Sequence, residues 1–245
     1  MLRNREIAWQ RIAAEGVAIV ISILLAFSIQ AWWEDRTERI DEREVLTALQ
    51  VELKQNIGVM ADELRFRRAM VEPITELLDL IGKDELPGQS ELDGLFGHLV
   101  WWSTTNPATG VFLSLVQGGQ LSQVEQTDLR AQISSIATMY QELALAEQQS
   151  YQTFKEFLMP YLIGRVDVVR ASNAQRSNPR GGPPVYPEFP GGRPSDYESV
   201  LADLTFQGIL VNMLWDQYDA IRALERTTES LEALVRAIDE AVNQP

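Results

Sequence analysis

The rhythm of hydrophobic and polar positions changes once along this chain, near residue 33. Residues 16–33 read GVAIVISILLAFSIQAWW, apolar on every side and without a charge. About 18 such residues are at the short end of what crosses a hydrocarbon core as a helix. From Glu34 onward polar residues separate the apolar ones. Leu46, Leu49, Leu53, Ile57, Met60, Leu64, Val71, Ile74, Leu78 and Ile81 recur at three- and four-residue steps, as in a helix with one apolar face. The opposite face, with Glu42, Glu52, Lys54, Glu63 and Arg67, is expected to meet solvent. No Pro or Gly separates the two stretches before Gly58. The apolar segment and the first amphipathic helix are therefore predicted to be one continuous rod. Pro73 should kink it near Val71, and Gly82 and Pro87-Gly88 should end it.

The pattern then predicts a short helix from Ser90 to Trp102, capped by Ser90 with Asp93 three residues on and broken at Asn106-Pro107. An apolar turn from Val111 to Val116 leads to Gly118-Gly119. A long helix follows from about Gln126 to Leu158, with Ser122 or Thr127 as cap and Leu129, Ile133, Ile136, Tyr140, Leu143 and Phe154 on its buried stripe. Pro160 should bend or end it, with Tyr161 to Val169 able to continue. Residues 172–194 are rich in Pro and Gly and lack any period, so they are expected to be an exposed loop. Ser195 and Glu198 resemble a capping box for a last helix running to about Val242. Only Val166 to Val169 offers a strand-like run, and it is short. The expected fold is all-α: a transmembrane helix continuing into a long helix of an antiparallel helical bundle, with a short inserted helical hairpin. Residues 1–15 form a tail, 16–33 the membrane helix and 34–245 an acidic helical domain.

Charge sharpens this picture. The net charge is -14, nearly all of it after the apolar segment. Such a surface repels nucleic acid and anionic headgroups, so no nucleic-acid partner is expected. There is no cysteine, which removes disulfides, thiol catalysis and thiolate metal sites. Hydrophobic residues make up 45% of the chain, an ordinary globular share that argues against further membrane spans. Arg3, Arg5 and Arg11 before the apolar segment, with Ala26-Phe27-Ser28 inside it, also fit a cleaved signal peptide. Trp32-Trp33 followed at once by charge fits an uncleaved anchor better, because Trp favours the membrane interface. Arg11, Glu15, Trp32 and Trp33 are the expected interface residues, with Arg11 and Glu15 one turn apart and able to pair. The basic residues flanking the segment are balanced. A short tail before it and a long acidic part after it favour a cytoplasmic N-terminus and a periplasmic domain at a bacterial inner membrane.

Candidate chemistry is sparse. His98 is the only histidine and has no Glu-x-x-His partner spacing for a metal; a helix-surface residue is expected. Carboxylates abound, but only Asp216 beside Trp215 and Asp219 beside Tyr218 stand in apolar surroundings, and a solvated face is expected for them too. Ser103 and Ser114 lack a nucleophile-elbow context. Gly118-Gly119 reads as a turn, since no phosphate-binding Lys follows. No catalytic residue, metal or cofactor is predicted. Trp101 and Trp102 on a short helix are candidates for a membrane or partner surface. Pro184, Tyr186 and Pro187 are candidates for an extended proline-type ligand, with a solvated loop as the plain alternative.

Two stretches carry a family resemblance: EGVAIVISILLAFSIQAWWEDRTERIDEREVLTALQVELKQN, residues 15–56, and VFLSLVQGGQLSQVEQTDLRAQISSI, residues 111–136. With Phe112, Leu115, Gly119, Leu121, Val124, Leu129 and Arg130 in the second block, the chain resembles uncharacterised bacterial single-pass membrane proteins of a Bacteroidota type. Their anchor ends in Trp and an acidic residue and is followed by an acidic helical domain. It departs from them at Val111, where they usually have Thr, and in its paired Trp. The resemblance implies a membrane-anchored helical protein and no known activity. The sequence thus points to an interaction or scaffold protein held in the lipid bilayer, with a protein partner or self-association. The alternative is an extracytoplasmic helical bundle that senses a ligand.

Overall fold

In the computed structural model the described residues are 9–177, 179, 184, 186–190 and 192–243, without the side chains of residues 9–14 and 123. Helix α1, Trp9–Asp79, has 71 residues and is on the order of 100 Å long. It runs unbroken from the apolar segment into the amphipathic seam, as expected, and it passes through Pro73. It is long and apolar enough to cross a membrane. Trp32 and Trp33 are 58% and 63% exposed, with their rings edge to face at 6.5 Å. Glu15 is exposed at the other end; the predicted Arg11 partner lies outside the described side chains. Burial in the rest of the chain begins near Glu42 and Leu46, so roughly a dozen residues of bare helix join the two parts.

The later elements are α2 (Gln89–Leu99), α3 (Gly110–Gln117), α4 (Thr127–Gln152), α5 (Met159–Ile163), α6 (Val168–Ala174), α7 (Tyr197–Ala202) and α8 (Leu204–Asn243). A π-helical turn, Thr153–Leu158, joins α4 to α5 without a break. Pro160 has no N–H for the carbonyl four residues back, and the widened turn accommodates this, so the proline neither ends nor sharply interrupts the helix. No strand occurs among the described residues; Ser177 and Pro184 make a single isolated bridge, and Val166 to Val169 leads into α6 instead.

Helices α1, α4 and α8 pack lengthwise. Gln50 meets Val235, and Arg68 meets Glu225, so α8 is antiparallel to α1. Glu42 meets Glu125, Asn56 meets Tyr140 and Arg67 meets Ser150, so α4 runs parallel to α1. Of the three long helices, α8 therefore runs against both α1 and α4, and α1 and α4 form the parallel pair. The chain returns along α1 between α2 and α4 in a leg that is only partly helical, and α4 then starts level with Glu42 of α1.

Two apolar cores result. One lies beside residues 46–60 of α1 and joins α3, α4 and the second half of α8. The other lies beside Ile74 and Leu77 and joins α2, α5, α6, α7 and the start of α8; there Phe206 stacks on Phe96 and Tyr161. Three caps differ from expectation. Helix α2 begins at Gln89 after Gly88 and α4 at Thr127 after Gln126, neither with a side-chain cap. Asp196, not Ser195, caps α7 by accepting from Ser199 N–H, while Ser195 Oγ accepts from Asp167 N–H. The last helix is also divided, with Asp203 between α7 and α8 accepting from Thr205 N–H.

Candidate functional site

Beside the first core and between it and the second lie buried polar side chains. Glu52, Asn56, Glu63 and Arg67 of α1 are all buried, as are Glu147 and Ser150 of α4 and Asp216 and Gln217 of α8. This corrects the reading of Glu52, Glu63 and Arg67 as a solvated face. Their spacing of four, seven and four residues sets them in one stripe of α1 beside the apolar seam. That spacing is the signal in the sequence that could have revealed them.

Their shared target is the returning leg. A non-helical backbone laid against a helical core brings N–H and C=O groups that need partners. Glu52 accepts from Val111 and Phe112 N–H at 2.7 and 3.0 Å, at the first turn of α3, where unsatisfied donors and the helix dipole favour a carboxylate. The Asn56 amide both donates to Ala108 C=O and accepts from Ala108 N–H, at 2.7 and 2.8 Å, and it also donates to the Tyr140 hydroxyl. Burial, with Glu52 nearby, pushes the Tyr140 hydroxyl up to about 12. Glu147 accepts from Thr105 N–H at 2.8 Å and from the hydroxyls of Thr104 and Thr105. Glu63 accepts from Ser103 Oγ at 2.7 Å.

Arg67 is the hub, with 1% of its side chain exposed. It donates to Glu63 at 2.8 Å, to Ser150 Oγ and Ser103 C=O at 2.9 Å each, and to Gln217 Oε1 at 3.4 Å. Glu147 lies 3.9 Å away. A buried guanidinium is tolerated only when so fully met. These groups hold one another and the returning leg. No group of metal-ligating side chains occurs among the described residues.

Asp216 is the exception. It is buried, and its Oδ2 has no hydrogen-bond partner. Burial raises its pKa, helped by Asp219 and opposed by a hydrogen bond from Thr153 and by Arg67. It borders a cavity of about 10 Å³ shared with Phe66, Arg67, Trp101, Phe154 and Met213, room for a single water at most. Thr153 opens the π-helical turn, a feature often found at functional sites. Asp219 is exposed, as expected. His98 is half-buried rather than a helix-surface residue. Burial lowers its pKa, with Glu72 acting the other way.

The remaining candidate residues are divided by the fold. Trp101 and Trp102 follow the end of α2 and are not helical. They sit near Phe66 and Met70 of α1, on the order of 50 Å along the helix from Trp33, which separates them from the apolar segment and any membrane around it. Trp101 donates from Nε1 to Gln175 C=O at 3.0 Å and stacks on Tyr186 at 5.9 Å. Tyr186 stacks in turn on Phe189, and its hydroxyl bonds Ser172 and Gln175 carbonyls. The described part of the Pro/Gly-rich stretch is therefore folded back onto α6. Pro184 and Pro187 stay exposed, while Val185 between them lies outside the described residues. Trp102 stands apart, 37% exposed and tilted against Tyr151 at 4.5 Å. A second polar knot ties α2, α6 and α7: Asp93 accepts from Arg170 at 2.6 Å and from the Tyr197 hydroxyl at 2.7 Å, and burial raises the Tyr197 pKa.

No protein-family model, curated protein or solved structure matches this chain.

Proposed function

We propose that the chain is a single-pass protein of a bacterial inner membrane. In this reading its N-terminus is cytoplasmic, its helical domain is periplasmic, and it acts as an interaction or scaffold protein without catalytic activity. The resemblance to membrane-anchored Bacteroidota-type proteins belongs to the same reading. The observation that carries it is α1. Its apolar segment is exposed all round, and the same helix contributes one side of both cores. A span joined rigidly to a folded domain fixes that domain's height and tilt at the membrane, which suits assembly with neighbours more than turnover of a diffusing substrate. The buried polar layer supports this, because its carboxylates and guanidinium are spent on one another and on backbone. The test is alkaline extraction of membranes together with an alkaline phosphatase fusion after residue 243. Retention in the pellet with an active fusion is expected. A chain released by alkali, or an inactive fusion, would overturn the anchor or its orientation respectively.

The ligand-sensing alternative draws on Asp216 and the adjoining π-helical turn. The cavity there is far below the several hundred Å³ of a small-molecule site, which weighs against a ligand enclosed between these helices.

A further inference from the structure

One face of α1 is exposed over a long stretch of the helix. Ala26, Gln30, Trp33, Thr37, Ile40, Glu44, Thr47 and Val51 follow one another at alternating steps of four and three residues. At about 100° per residue they stay within roughly a third of the helix circumference. All eight are exposed, with Trp33 at 63%, Ile40 at 47% and Val51 at 52%. The buried positions Leu46, Leu49, Leu53 and Met60 lie on the opposite side of the same helix. From Leu46 on, the helix thus has two faces, one taken by its own cores and one bare, and before Glu42 it is exposed all round, so the strip continues the bare face toward the apolar segment. A step near 3.5 residues is the repeat that lets two helices meet along a seam.

We propose that this face pairs with the same face of a second copy, the two chains running parallel. This rests on the membrane-anchored reading, and deepens it by naming the partner. A shared bilayer would set both copies in the same direction and at the same height, so like residues meet across a two-fold axis. The flanking charges agree with that geometry. Arg36 borders one edge of the strip, while Glu34 and Asp41 border the other. In a parallel pair each edge meets the opposite edge of the partner. Arg36 and Asp41, five residues apart, occupy the flanking positions that bridge the helices of a parallel coiled coil, so the pairing would make two such contacts by symmetry. Trp33 and Ile40 supply apolar contact, and Thr37 and Thr47 let the backbones approach. Glu44 opposes its own copy in the middle of the seam, which makes the association reversible.

The absence of cysteine allows a clean test. Single cysteines are placed at Thr37, Ile40, Thr47 and Val51, and at Asp35 and Glu38 on other faces, in the full chain. Membranes from expressing cells are then treated with a mild oxidant. Disulfide-linked dimers are expected at the first four positions and not at the last two. Equal yields around the helix, or none anywhere, would overturn the proposal. Arg36→Asp should lower cross-linking at Thr47→Cys about threefold to fivefold, as two exposed pairs allow. Adding Asp41→Arg should restore it, and failure of that rescue would reject the register. Glu44→Leu should raise the yield. Alkaline extraction of the same membranes separates the two readings. A retained chain without the periodic pattern refutes the pairing and leaves the anchor. A released chain refutes the anchor, and the scan repeated on that soluble form still decides the pairing.

Discussion

At the scale of single residues, the clearest consequence concerns Asp216. Its folded pKa lies above the unfolded value of about 3.9. The native state therefore holds the proton more tightly than the unfolded chain does. Stability falls as pH rises from the unfolded value through the folded one and is level above it. Asp216→Asn keeps the shape and removes the charge. It should raise the midpoint of denaturant unfolding at pH 7.5 while leaving that at pH 4 nearly unchanged; equal effects at the two pH values would show that burial does not raise the carboxyl's pKa. The residue was legible only in part. Its apolar neighbours stand out in the sequence, but the missing partner for Oδ2 depends on α1, α4 and α8 meeting around it.

At the scale of elements, two glycines of α2 separate local propensity from packing. Gly94 and Gly97 lie three residues apart in one helix and read alike in the sequence. A Cβ at Gly94 would meet nothing within 4 Å, whereas at Gly97 it would lie 2.3 Å from Ala171 O and 2.7 Å from Gln175 Cβ of the α6 region. Gly94→Ala should stabilise by about 0.5–1 kcal/mol, because alanine is the better helix former. Gly97→Ala should cost about 1–3 kcal/mol by forcing α2 away from α6. Thermal melts of the two variants measure both, and a neutral Gly97→Ala would show that α6 yields without cost. The same contrast governs the returning leg between α2 and α4. Nothing in its own sequence demands carboxylates; they come from Glu52, Glu63 and Glu147 on distant helices, which is why Glu52 and Glu63 read as solvated surface.

At the scale of the whole molecule, α1 makes the apolar segment and the folded part a single body. Core packing along α1 begins near Leu46, so the bare stretch between Trp33 and Glu42 transmits orientation without contributing packing. A Gly-Ser insertion after Asp35 should leave the unfolding midpoint of the domain unchanged while erasing the periodic cross-linking pattern beyond the insertion. A lowered midpoint would mean that the bare stretch takes part in the core.

The sequence by itself determined the helical class, the apolar segment, its continuity with the first amphipathic helix and the apolar seams, because these depend on periods of a few residues within one element. Tertiary structure alone decided that α4 runs parallel to α1, that Glu52, Glu63 and Arg67 turn inward, that Trp101 stacks on Tyr186, and that Asp216 Oδ2 is left without a partner. Each of these joins groups tens to more than a hundred residues apart. A polar side chain on a helix looks the same in sequence whether water or a buried backbone satisfies it; only the packed neighbours tell the two apart.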